Sequence, residues 1–86
     1  MCIRDRLKVA HLAETYNVVV CPHFLMEIHV SLAAGIANGH YVEHIPQLTG
    51  VTTERMTIDK GWAIAPSAPG LGIPWDFEAI ERLVVA

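Results

Sequence analysis

Apolar residues recur along the first part of the chain with two different spacings. Between residues 7 and 16 they follow the i, i+3, i+4, i+7 pattern of one face of an amphipathic helix. This face consists of Val9, Leu12, Ala13 and Tyr16. Asn17 fits a helix end, because asparagine tolerates the left-handed backbone that closes many helices. Residues 18–21 are continuously apolar and mostly β-branched, which predicts a parallel strand buried on both faces.

A second helix and a second strand follow. Apolar residues at spacings of three and four predict a helix over residues 24–36, which the pair Asn38 and Gly39 ends. A short apolar stretch then predicts a second buried strand over residues 40–43. Helix, strand, helix and strand at short spacing are typical of βα units on a parallel sheet. The predicted fold class is therefore α/β.

The last part of the chain has a different pattern. Residues 55–58 and 62–65 flank a three-residue connection that ends in Gly61, which predicts a hairpin with a positive φ at the glycine. Prolines and glycines over residues 66–74 predict an irregular loop. Asp76 is a suitable N-cap for a final helix. The predicted apolar face of that helix consists of Phe77, Ile80 and Leu83.

The composition indicates that a further part of the protein covers some of the apolar surface of this chain. The chain has 86 residues, of which 52% are hydrophobic, and it is about a third as long as the ~250 residues of a complete α/β barrel. We therefore expect a fragment of a larger protein. Residues 1–6 resemble the translation of a transposon adapter used in DNA library preparation, so we expect them to be foreign to the protein.

Charge and cysteine content narrow the possible partners. The net charge is −3 and the six Lys and Arg residues form no basic stripe, so we expect no nucleic-acid partner. The longest apolar runs are far shorter than the ~20 residues that cross a bilayer, so we expect no membrane association. Cys2 and Cys21 are too few for a disulfide framework, which favours a reducing cytoplasm.

Two ionisable residues follow the predicted strands. His23 comes just after the first strand and Glu43 ends the second. The carboxyl ends of neighbouring parallel strands meet at one edge of a sheet, where α/β folds bind ligands and hold catalytic groups. We therefore expect both side chains to point into the same cleft.

Three sequence blocks around these residues resemble one enzyme family. Residues 21–29 read CPHFLMEIH, residues 41–45 read YVEHI and residues 69–73 read PGLGI. In order and spacing, from Leu7 onward, they are similar to the C-terminal third of mandelate racemase-like enzymes of the enolase superfamily. Residues 7–50 then resemble the last two βα units of a modified (β/α) barrel. Residues 51–86 resemble the C-terminal tail, a hairpin and a helix, that joins the capping domain.

The resemblance implies roles for both ionisable residues. His23 matches the family's general acid/base, which an aspartate from the preceding strand orients. Glu43 matches the acid that hydrogen-bonds the substrate carboxylate and its enediolate. For that role it should be protonated at neutral pH, which requires burial and nearby negative charge. The family's Mg²⁺ ligands and second lysine lie on earlier strands, so we assign no metal ligand in this chain.

The resemblance also implies a reaction. Enzymes of this kind abstract the α-proton of a hydroxy-acid or sugar-acid carboxylate, with Mg²⁺ as the electrophile. The motifs are closer to acid-sugar dehydratases than to mandelate racemase, and a racemase or epimerase is the nearest alternative. We expect a small carboxylate substrate and a homo-oligomer for the full-length protein, and no activity for the fragment alone. The alternative from another class is a small binding or structural domain without catalysis.

The remaining histidines have simpler interpretations. His29 lies on the predicted second helix, where packing or hydrogen bonding is the commoner role. His40 and His44 are four residues apart, but on a strand they would not share a face as they do on a helix. A zinc site is a minor alternative. It would use His23, Glu27, His29 and His44.

Overall fold

The computed structural model describes residues 3–85 and contains three helices and one antiparallel hairpin within that range. The helices are α1 (Ile3–Thr15), α2 (Met26–Ala34) and α3 (Phe77–Leu83). The strands are β1 (Thr57–Asp59) and β2 (Trp62–Ile64). None of the helices in this part of the chain has the length and apolar character needed to cross a membrane.

Helix α1 ends where the sequence predicts and begins earlier. Asn17 adopts a left-handed φ of 55°, and its amide donates to the Glu14 carbonyl at 2.9 Å. The helix includes residues 3–6, which precede the predicted start. The predicted apolar face of α1 is not the face buried within this chain, where Ala10 is the buried residue of the helix. The residues predicted to be covered are largely exposed: Val9, Leu12 and Tyr16.

The two predicted strands are extended segments that meet at a single parallel bridge between Val20 and Gly39. The Val20 amide donates to the Asn38 carbonyl at 2.8 Å, and the His40 amide donates to the Val20 carbonyl at 3.2 Å. The prediction that residues 18–21 are buried on both faces is wrong for this chain, because Val18 and Val19 are exposed. Within the described range the bridge between Val20 and Gly39 is the one β-bridge that these two segments make.

Helix α2 is shorter than predicted at both ends. Phe24 and Leu25 have left-handed φ values of 63° and 44°, so the helix begins at Met26 instead of residue 24. It ends at Ala34, with Gly35 as the C-cap. The Gly39 backbone then lies so close that a Cβ built there would be 2.4 Å from the Ala33 carbonyl oxygen. Glycine at this position allows the second extended segment to pass against α2.

The C-terminal part contains the predicted hairpin and final helix, with differences in detail. Asp59 pairs with Trp62, so the hairpin turn has two residues and not three. Both turn residues have positive φ, 47° at Lys60 and 85° at Gly61, as a type I′ turn requires. The Asp76 side chain caps α3 by accepting from the Ala79 amide at 3.0 Å, as predicted.

The predicted apolar face of α3 is largely exposed. Ala79 is the buried residue of the helix, whereas Phe77 and Leu83 are exposed. An antiparallel bridge between Thr52 and Trp75 ties the start of the tail to the residues that precede α3. The buried apolar residues of the described range are Ala10, Met26, Val30 and Ala79.

Candidate functional site

His23 and Glu43 come together at one edge of the molecule. The Nδ1 atom of His23 lies 2.5 Å from the Oε2 atom of Glu43. His23 follows the bridge residue Val20 by three positions, and Glu43 follows its partner Gly39 by four, so the parallel bridge sets both side chains at the same end. The imidazole is 78% exposed and the carboxylate 40%, so both reach solvent.

The same carboxylate also binds the backbone beside His23. The Phe24 amide donates to Oε2 of Glu43 at 3.1 Å. Phe24 and Leu25 both have left-handed backbone, and they turn the chain from the extended segment into α2. This turn allows the His23 ring and the Phe24 amide to contact the same carboxylate oxygen of Glu43.

His29 lies beneath this turn and is the one buried polar side chain of the described range, at 4% exposure. Its Nδ1 atom donates to the Phe24 carbonyl, and its Nε2 atom accepts from the Arg6 guanidinium. Desolvation by burial lowers the pKa of His29 below its ordinary value of 6.5. The Phe24 carbonyl opposes this pKa shift, and the charges of Arg6 and His23 reinforce it. Because a guanidinium can only donate and a carbonyl can only accept, these two contacts place the ring proton of His29 on Nδ1.

Glu27 holds the chain that follows Glu43. Its Oε1 atom accepts from the amides of Gln47 and Leu48, both at 2.9 Å. Its Oε2 atom is buried without a hydrogen-bond partner among the described residues. Helix α2 therefore contacts the backbone on both sides of the His23 and Glu43 pair, through Glu27 and His29.

The pair opens on a small cleft of about 250 Å³. The cleft is lined by Cys21, Pro22, His23, Tyr41, Val42 and Glu43. A groove of about 310 Å³ between α1 and α2 shares Pro22 and His23 with it and has mostly apolar walls. Cys21, which its sequence context predicts to be buried, is exposed at this cleft. A small polar molecule placed there would meet an imidazole and a carboxylate.

The described residues do not form a metal site. No group of three or more His, Cys, Asp or Glu side chains within residues 3–85 is arranged to hold a metal ion. The zinc alternative does not fit, because His29 is bonded to Phe24 and Arg6 while Glu27 is bonded to the loop at residues 47–48. Magnesium likewise has no set of ligands here.

The environment of Glu43 differs from the one that its predicted role requires. Its carboxyl group is partly exposed, and its nearest ionisable neighbour in the described chain is the His23 imidazole. The described residues therefore supply neither the burial nor the neighbouring negative charge that the predicted role requires. Its role as a donor to a substrate carboxylate stays a prediction.

The sequence analysis predicted packing or hydrogen bonding for His29, but it did not predict the roles of the Phe24 amide and of Glu27 around the site. The Phe24 amide, Glu27 and His29 all contact the site or the chain around it. A usable signal was present, because Glu27 and His29 are two residues apart on the helix that begins just after His23. Polar side chains at that place on a largely apolar helix indicate hydrogen bonds back to the neighbouring loops.

A family model described as "Enolase C-terminal domain-like" matches residues 2–80. A curated relative, 3,6-anhydro-alpha-L-galactonate cycloisomerase from Streptomyces coelicolor, is 35% identical over 79 residues. That match covers 91% of this chain and 22% of the relative. The chain thus spans about a fifth of the length of this curated relative.

Solved structures show the same relationship. L-Talarate dehydratase from Polaromonas sp. JS666, complexed with Mg and L-glucarate, superposes with a TM-score of 0.82 at 38% identity, covering 92% of this chain and 22% of that one. An enolase from Bradyrhizobium, complexed with magnesium and mandelic acid, superposes with a TM-score of 0.79 at 25% identity, covering 93% of this chain and 22% of that one. These similarities extend over nearly the whole chain.

Proposed function

Because this chain belongs to the enolase C-terminal domain-like family, we propose that it supplies one side of the active site of an enzyme acting on sugar-acid carboxylates. The observation that carries the proposal is the contact between His23 and Glu43 at the rim of a cleft. The relatives support the substrate class, since one is a cycloisomerase of a galactonate derivative and another is a talarate dehydratase. We propose dehydration of an acid sugar as the reaction, with racemisation or epimerisation as the nearest alternative.

In the proposed reaction His23 is the general acid/base. The α-C–H bond of the substrate breaks, its proton moves to the imidazole, and the negative charge passes to the carboxylate as an enediolate. In a dehydration the β C–O bond then breaks, and His23 returns the proton to the departing hydroxyl, so that water is lost. His23 is exposed at the cleft, and its Nδ1 atom is held by Glu43, which orients the ring.

Glu43 and its surroundings bind the other end of the substrate. We propose that Glu43 hydrogen-bonds the substrate carboxylate in the full-length protein, where an aspartate from outside this chain takes over the orientation of His23. Charge that develops on the carboxylate oxygens is best stabilised by donors fixed in advance, and the contact with the Phe24 amide holds Glu43 in place. Magnesium is bound in the two solved relatives described above. In the full-length protein we propose ligands for it on residues outside this chain.

Proton exchange in D₂O tests this proposal. The full-length protein that carries this chain is incubated with a panel of aldonates and aldarates, and deuterium at the α-carbon and loss of water are followed by NMR. We expect exchange or dehydration of at least one member. We expect His23→Asn to lower its rate by about 10²- to 10⁴-fold. His11→Asn is the matched control, because His11 is exposed on α1 and lies outside the site.

Two results would count against the proposal. A full-length protein that neither exchanges nor dehydrates any member of the panel would remove the enzymatic function and favour a binding or structural domain. Equal rates for wild type and His23→Asn would remove His23 from the chemistry. The upstream reading frame offers an independent check, since we expect it to encode a Lys-x-Lys pair, three acidic residues at strand ends and the dyad aspartate.

A further inference from the structure

We propose that His29 is a positioning residue for the His23 and Glu43 pair, acting through the peptide backbone of Phe24. The expected effect of His29 on the reaction rate rests on the proposed function. The positioning itself rests on the contacts that α2 makes. We treat His29 as a positioning residue because its side chain is only 4% exposed and does not line the cleft at the His23 and Glu43 pair, although it lines the adjoining groove between α1 and α2.

Three contacts connect His29 to the site in a continuous series. The His29 Nδ1 atom donates to the carbonyl oxygen of Phe24. The amide of that same residue donates to Oε2 of Glu43 at 3.1 Å, and this oxygen lies 2.5 Å from Nδ1 of His23. Phe24 is thus held at both of its backbone polar groups, by His29 on one side and by Glu43 on the other.

The backbone at Phe24 explains why such a hold is needed. Phe24 and Leu25 are consecutive non-glycine residues whose backbones lie in the left-handed region, with φ values of 63° and 44°. Residues other than glycine enter this region at a cost in free energy and stay there when surrounding contacts fix them. The His29 hydrogen bond is the side-chain contact that fixes the Phe24 carbonyl in the described chain. Without it, we expect the turn to relax and the Phe24 amide to rotate away from Glu43.

The charge state of His29 suits this task. Its Nε2 atom accepts from Arg6, so the proton of the neutral ring lies on Nδ1, where it is donated to Phe24. Arg6 belongs to the stretch that resembles a library adapter, so the proposal depends on the Phe24 contact and not on Arg6. A histidine that only filled space would need no particular tautomer. The proposal therefore requires a donor at Nδ1.

Two substitutions in the full-length protein separate donation from packing. His29→Leu fills the site without a donor, and His29→Asn keeps an N–H near the position of Nδ1. We expect His29→Leu to lower kcat for α-proton exchange by about 10²-fold, the size of effect that small misplacements in active sites produce. We expect His29→Asn to recover to within about tenfold of the wild type. His11→Leu is the control for loss of a histidine on an exposed helix face.

The outcomes divide cleanly. Wild-type kcat in His29→Leu, or equal losses in His29→Leu and His29→Asn, would overturn the positioning role. If His29→Leu does not fold, ¹⁵N NMR of the histidine rings in the wild-type protein decides. A neutral ring protonated at Nδ1 supports the proposal, and a charged ring or one protonated at Nε2 overturns it.

Failure of the proposed function remains distinguishable from failure of this inference. If the wild-type protein shows no exchange with any substrate, the proposed function fails. Crystal structures then test positioning alone. We expect the Phe24 amide to lose its 3.1 Å contact with Glu43 in His29→Leu and to keep it in His29→Asn. A retained contact in His29→Leu overturns the inference whatever the activity.

Discussion

His29 is a buried titratable side chain, and its burial determines how it responds to pH. It faces the Phe24 carbonyl, the Arg6 guanidinium from α1 and the His23 ring. Burial lowers the pKa of His29 below 6.5 in the folded protein. Well above pH 6.5 the ring is neutral in both the folded and unfolded states, so it adds no pH dependence there. Below that pH the unfolded state binds a proton first, and folding becomes less favourable.

The lowered pKa of His29 in the folded protein gives a measurable prediction. As pH falls from 7.5 to 5.5, the free energy of unfolding of the full-length wild type should decline more than that of His29→Asn, which cannot take up the proton. The difference in slope is at most about 1.4 kcal/mol per pH unit, the value for a single proton. Urea unfolding at several pH values measures it. Parallel pH profiles for the two proteins would show that His29 titrates alike in both states.

Some contacts of the site could be predicted from the sequence and others could not. His23 and Glu43 could be expected to meet, because both follow apolar segments whose carboxyl ends lie side by side. The Phe24 amide could not, because the left-handed backbone that aims it belongs to a residue with no local signal for that conformation. The Glu27 hydrogen bonds to the loop at residues 47–48 depend on tertiary contacts that periodicity does not encode.

The helices and the C-terminal hairpin could be predicted as elements, whereas the two predicted parallel strands are extended segments joined by a single bridge. Caps and stops have local causes, so Asn17 and Asp76 end and begin helices as expected. Periodicity reports which face of a helix is apolar, but the partner that covers that face is a property of the whole fold. For α1 and α3 the apolar faces remain exposed in this chain, and small residues, Ala10 and Ala79, make the close contacts.

The cap of α3 leads to a prediction at this scale. Asp76→Ala removes the acceptor for the Ala79 amide, and the loss of such a cap costs about 0.5–2 kcal/mol. If α3 opens locally, hydrogen exchange over residues 77–83 of the full-length protein should accelerate by roughly 2- to 30-fold, as follows from that cost. Mass spectrometry of peptides follows this exchange. Glu81→Ala, an exposed change on the same helix, should leave the exchange rate almost unchanged.

The whole molecule is more open than a compact domain of its size. Its accessible surface is 6505 Å², against about 5,000 Å² expected for a compact monomer of this mass. Its radius of gyration is 14.3 Å, against about 12 Å expected for a compact domain of this length. Large apolar side chains lie on that surface, among them Leu12, Phe77 and Val85. This is the surface that we propose the rest of the enzyme covers.

The chain by itself should therefore fold poorly. We expect residues 1–86, and equally residues 7–86, to bind a hydrophobic dye, to associate with rising concentration and to show no cooperative thermal transition. Circular dichroism, dye fluorescence and size-exclusion chromatography measure these properties. A sharp, reversible transition of a monomer would favour the alternative of a self-standing domain. The full-length protein serves as the folded reference.

The hydrogen bonds from Glu27 to Gln47 and Leu48, and from Phe24 to Glu43, close residues 23–48 into one unit. Both proposed catalytic side chains and the contacts that align them are therefore encoded in fewer than thirty consecutive codons. A recombination event upstream of residue 18 exchanges them together and leaves their mutual alignment intact. We therefore expect such an exchange to alter the part of the proposed site that lies outside residues 23–48 and to leave this part unchanged.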